Sequence, residues 1–110
     1  MVKIVEFSQP IDDRLPYDVV DDVCIFMRND PIFYRKQLFP AIMRMKDMHE
    51  KGQVPSAEKC LSEVCSRAME SYCQKFKVGS PNKFFKDEDK NLIMDKLYSE
   101  EMHQIKNGAY

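Results

Sequence analysis

Few residues in this chain are equipped for chemistry. Its 110 residues include two histidines, His49 and His103, and four cysteines, Cys24, Cys60, Cys65 and Cys73. Glu100 and His103 form an E-x-x-H pair, the spacing at which carboxylate-bridged di-metal bundles present two ligands from one helix. Such a centre needs a second E-x-x-H and two further inward glutamates. Lys46 stands at the matching position before His49, so the second copy is absent. Glu100 and His103 also point away from the apolar face of their own segment, as a solvated pair would. Glu101 falls inside that face, and His49 falls inside the apolar face of an earlier segment. A charged group on an apolar face needs a partner. A His49–Glu101 contact is therefore expected, ordinarily as a satisfied core or interface pair and, if placed in a cleft, as an acid–base site.

The cysteines do not read as a metal set. Zinc sites favour close pairs such as C-x2-C, whereas Cys60, Cys65 and Cys73 are separated by four and seven residues. At about 100° per residue, Cys60 and Cys73 lie on opposite flanks of one helix. Free cysteine is a common small core residue, and packing is the expected role.

A third feature is the run Lys75-Phe76-Lys77, followed by Lys83-Phe84-Phe85-Lys86. Interleaved cations and aromatics suit single-stranded nucleic acid, with rings stacking on bases and lysines neutralising phosphate. The same composition suits a loop whose phenylalanines plug a core while the lysines stay wet. Phe76 is expected in the core. No recognised nucleic-acid motif accompanies the run. Phosphate-binding glycine loops, a G-x-S-x-G elbow and catalytic cysteine signatures are also absent, and no cofactor is expected.

The elements that must position these residues read as helices. Only three glycines, with abundant Met, Leu, Lys and Glu, favour helix over sheet. The spine is 31–51, with Asp30 as N-cap, Pro31 in the first turn and Gly52 as the stop. Tyr34, Leu38, Ala41, Ile42, Met45 and Met48 share one stripe, with Ile32, Phe33, Phe39 and Met43 outside it. Pro40 removes a backbone bond and crowds the carbonyl of Lys36, so a kink or break is expected there. A first helix over 16–28 carries Val19, Val20, Val23, Phe26 and Met27 on one side. A third over 55–77 has the clearest period, from Ala57 to Phe76, with Gly79 as its stop. A fourth over 87–106 presents Ile93, Leu97, Tyr98, Met102 and Ile105. The expectation is one all-α domain over 1–110, a small bundle of about four main helices. Residues 1–15 are read as an extended arm or a short strand.

Composition bounds the function. Net charge is −1, so no global field draws the chain to nucleic acid or membrane. Residues 1–30 carry three basic and seven acidic side chains, and residues 31–60 carry six basic and three acidic. Complementarity between the first two helices is the simple explanation. The N-terminus has no secretory pattern and no run approaches a membrane span. A cytoplasmic chain with reduced thiols is expected. The leading functional reading is a non-enzymatic protein-interaction or regulatory module, with a homodimer as one version. The alternatives are a nucleic-acid accessory protein using residues 75–86, and a metal or acid–base enzyme around His49 and Glu101.

Overall fold

The computed structural model describes residues 16–110, with side chains from residue 19 onward. The expected arm or strand over 1–15 lies outside the described residues. The described chain is all-α: α1 (Pro16–Asn29), α2 (Pro31–Phe33), a π-helical turn (Tyr34–Leu38), α3 (Phe39–Glu50), α4 (Ala57–Phe76), α5 (Pro81–Phe84) and α6 (Asp89–Lys106). No strand occurs among the described residues.

α1 buries the expected stripe of Val19, Val20, Val23, Phe26 and Met27, together with Cys24. It packs mainly on α6 and then on α4. One residue then turns the chain into the spine. Asp30 is extended (φ −81°, ψ 111°), and its carboxylate accepts the Phe33 N–H at 2.9 Å.

Pro40 leaves its mark one turn upstream of itself. The helix neither stops nor restarts at Pro40. It widens over Tyr34–Leu38, where the Phe39 N–H bonds to the Tyr34 carbonyl five residues back. A proline ring has no N–H and collides with the carbonyl four residues before it. Inserting a π turn is an accepted way to absorb that defect. The wider turn also corrects the expected face. Five α-helical steps of about 100° would set Phe33 and Leu38 about 140° apart. The π turn brings them to one side, and both are buried. Ile32 and Phe39 remain on the surface.

α3 and α4 form the expected antiparallel hairpin. Met48 lies 3.9 Å from Cys60 (sulfur to sulfur), and Gln37 meets Arg67 at 2.9 Å, so positions ascend on one helix as they descend on the other. Gly52 (φ +79°) ends α3, with the Gln53 N–H returning to the Met48 carbonyl at 2.9 Å. Ser56 caps α4 by accepting the Lys59 N–H. The far end of α4 departs from expectation. Lys77, not Gly79, takes the left-handed stop (φ 55°), and Val78 N–H closes onto the Cys73 carbonyl at 3.2 Å. The last turn runs past the edge of the core, so Phe76 is 51% exposed instead of buried.

α5 is a single helical turn inside the expected loop, and it drives Phe85 into the core. Asp89 starts α6 by a reciprocal bond: its carboxylate accepts the Lys86 N–H at 2.9 Å, while its own N–H reaches the Lys86 carbonyl at 3.1 Å. α6 then buries Ile93, Met94, Leu97, Met102 and Ile105. Tyr98 donates to the Pro55 carbonyl at 2.7 Å, tying α6 to the link between α3 and α4. No helix of the described chain is long and apolar enough to cross a membrane.

Candidate functional site

Glu101 is 4% exposed, so its carboxylate does sit in an apolar face. Its partners are not the expected ones. Arg28 donates to Oε2 from Nη2 at 2.8 Å and from Nε at 3.3 Å. The Tyr110 hydroxyl donates to Oε1 in a short bond. His49 forms no bond with Glu101. It lines a separate cleft with Gln53, Val54, Tyr98 and Lys106. The expected acid–base pair is therefore not assembled. The reason is geometric: the end of α1 lies against α6 and brings Arg28 to the carboxylate, whereas His49 belongs to the last turn of α3.

The ion cluster extends along α6. Arg28 Nη1 lies 2.8 Å from Glu100, and Lys96 bridges Glu100 at 3.1 Å and Asp21 at 3.3 Å. Burial works against the Arg28 charge, but its bonds to Glu101 and Glu100 outweigh that and raise its pKa. Burial alone would raise the Glu100 pKa, yet Lys96 and Arg28 hold it below the usual carboxylate value. Burial and the Glu101 carboxylate push the Tyr110 hydroxyl pKa upward. Gly108 makes that contact reachable. Its positive φ (+75°) lets the Ala109 N–H return to the Gln104 carbonyl, folding Tyr110 back along α6. His103 stays exposed, with a ring nitrogen 3.0 Å from the Asn107 side-chain amide. The E-x-x-H residues thus go to different partners.

The cysteines are free and buried. Burial raises Cys24 to about 11 and Cys65 to about 12, and also raises Cys73. Thiols held so high are poor nucleophiles at neutral pH. No group of three or more metal-ligating side chains gathers among the described residues.

The basic–aromatic stretch divides. Phe84 and Phe85 meet edge-on at 4.9 Å, and each ring centre lies 6.0 Å from Tyr72. Base stacking needs open aromatic faces, and these two rings face other protein rings. Lys77, Lys83 and Lys86 are exposed. Lys75 turns the other way, 3.6 Å from Asp30 and 5.5 Å above the Phe26 ring.

Lys75 thereby joins a feature that no single segment announces. Two adjoining clefts of about 540 and 600 Å3 open where α1, α2 and α4 meet, and Phe26, Asp30 and Lys75 line both. One lobe adds Ile32, Phe33 and Lys36. The other adds Asp22, Ile25, Tyr72 and Phe76. Ile25 is 54% exposed, Ile32 65% and Phe76 51%. Three elements thus place large apolar side chains at the rim of one notch floored by aromatics. Scattered exposed apolar residues are ordinary; these three differ in being grouped beside clefts. The sequence signal was partial: Ile32 lies off the spine stripe, but the exposure of Phe76 depends on where α4 outruns its neighbours.

In comparisons with known proteins, no family model, curated protein or solved structure matches the chain.

Proposed function

We propose that this protein is a non-enzymatic interaction module, and that the notch between α1, α2 and α4 is its docking face. The observation that carries the reading is the grouping of Ile25, Ile32 and Phe76, each more than half exposed, around clefts that share Phe26, Asp30 and Lys75. Interfaces are built around aromatic and aliphatic anchors with a polar rim. Here Phe26, Phe33 and Tyr72 supply the floor, and Asp22, Asp30, Lys36 and Lys75 supply the rim. Burial raises the Cys24, Cys65 and Cys73 thiols, which makes these three poor nucleophiles.

Site-specific photo-crosslinking tests this. A photoreactive residue at position 32 or 76 should give adducts with one defined protein, another copy of this chain included. The same residue at Glu63, exposed on α4, should give none. Equal, diffuse labelling at all three positions would overturn the reading.

A further inference from the structure

We propose that the cleft between the end of α3 and the last turns of α6 binds a small amphipathic anion, a carboxylate on a short apolar body. The site lies apart from the notch. None of α1, α2 and α4 lines it, so it stands or falls independently of the docking face. Its volume is about 310 Å3. Val54, Pro55, Met102 and the Tyr98 ring form its apolar walls, and His49, Gln53 and Lys106 form its polar lining. Small-ligand pockets combine apolar walls with a few placed polar groups in this way, and this volume is at the small end of their range.

The charge of the lining selects the ligand. No carboxylate lines the cleft, whereas two bases do, His49 and Lys106. The acids nearest in sequence are engaged elsewhere. Asp47 pairs with Lys51 at 2.9 Å, Glu50 pairs with Lys46 at 2.8 Å, and Glu101 turns to Arg28. Neither the His49 ring nor the Lys106 ammonium has a polar partner among the described residues. Both helices end here, and the carbonyl end of a helix disfavours an anion. Those carbonyls are occupied. Met48 and His49 accept the Gln53 and Gly52 N–H groups, and Gln104 and Ile105 accept those of Ala109 and Gly108. Neither base is needed as a cap.

The walls set the other half of the ligand. Val54 is 84% exposed, more than any other large hydrophobic side chain of the described residues. The link that carries it is pinned to α6, because Tyr98 donates to the Pro55 carbonyl at 2.7 Å. A short alkyl chain laid along Val54, Met102 and Tyr98 removes that surface from water, with its carboxylate toward His49 and Lys106. An inorganic anion gains only the charge, and a neutral alcohol gains only the wall.

The test is a titration of the full chain with octanoate, followed by nuclear magnetic resonance shifts. Saturable movement of Val54, Tyr98 and Met102 is expected, with a Kd of about 1 mM for a ligand of this size. Octan-1-ol and inorganic phosphate should each bind at least about tenfold more weakly. Lys106→Glu should weaken octanoate about tenfold, and His49→Gln and Val54→Ser about threefold each. Lys83→Glu, the same charge reversal on α5, should leave the affinity unchanged. Circular dichroism melts check that each variant is folded. Absence of saturable movement at the cleft would overturn the proposal, as would movement confined to Ile25, Ile32 and Phe76. Equal affinity for octan-1-ol or phosphate would also overturn it, and so would equal weakening by Lys106→Glu and Lys83→Glu, which would mark a general field effect.

Discussion

α1 is exposed to two opposite situations on its two sides. Toward α6, it buries charge: Arg28 holds Glu101 inside an apolar face, with Tyr110 closing the other oxygen. Toward α4 and α2, it leaves apolar surface in water: Ile25 and Phe76 line one cleft, and Ile32 lines the adjoining one. Each side reverses the usual partition of residues, and only such reversals are informative about role. A buried ion cluster holds elements in one arrangement. Removing a single partner leaves a stranded charge, so the cluster is costly to disturb. An exposed apolar notch does the opposite. Its exposed rim residues Ile25, Ile32 and Phe76 contribute little to the fold. Under the proposed reading, α1 divides its labour: the α6 side holds the fold, and the α2–α4 side is the one proposed to bind.

Substitutions on the two sides of α1 should differ in what they cost. The largest effect is expected from Arg28→Ala, which strands Glu101. Because Arg28 is itself about a third exposed, the cost is put at about 3 kcal/mol, the low end for breaking a buried pair. Urea unfolding would measure it. A loss below about 0.5 kcal/mol would show that water replaces the guanidinium and that the cluster does not hold the fold.

Tyr110→Phe removes one bond to a buried carboxylate, expected to cost about 1 kcal/mol after allowing for the partial exposure of Tyr110. The pH dependence is more diagnostic. The Tyr110 pKa is raised from its ordinary 10.0, so the contribution of this hydroxyl is complete below pH 10 and is lost as pH rises through the folded value. Wild type should therefore lose more stability than Tyr110→Phe on going to strongly alkaline solution. Glu100 behaves in the opposite sense. Its pKa is lowered from 4.5, so its contribution is present above that value and is lost as pH falls below it. Parallel alkaline melts of wild type and Tyr110→Phe would remove the Tyr110 assignment.

Lys77→Gly tests the backbone beside the notch. A lysine at φ 55° carries a left-handed cost of about 1 kcal/mol that glycine avoids. The variant should gain about that much thermal stability, with association unchanged. Weakened association would place the Lys77 side chain in the docking face. The smallest effect on stability belongs to Ile32→Ser, expected within about 0.5 kcal/mol of wild type because this side chain is mostly in solvent. A loss comparable to that of Arg28→Ala would mean that Ile32 is part of the core, and the contrast between the two sides would fail.

Much of this architecture is legible in local pattern. The stripe of α1 and the period of α4 follow from apolar spacing, and Asp30 and Gly52 mark the spine ends through capping geometry alone. Pro40 signals a distortion correctly in kind. Its form, a π turn ahead of the proline that rotates Phe33 inward, depends on what the core rewards. The site was legible in pieces. Glu101 stands out as a charge on an apolar face, but Arg28 lies 73 residues away. Helical periodicity holds no information about which helix end reaches it, so His49 looked equally eligible. Phe84 and Phe85 carry one composition that fits either a base-stacking loop or a core plug. Tyr72 gathers both rings from another helix, a contact that composition alone does not announce. The notch is the least legible feature, because it exists only where three elements diverge.

The most direct measurement is the change in nuclear magnetic resonance shifts of the full chain as the protein captured at position 32 is added or, where that protein is another copy, as the chain itself is concentrated. The division of labour predicts that resonances of Ile25, Ile32 and Phe76 move together as the partner binds, while those of Arg28, Glu101 and Tyr110 stay in place. Movement confined to the Arg28–Glu101–Tyr110 side, with the notch resonances fixed, would contradict it.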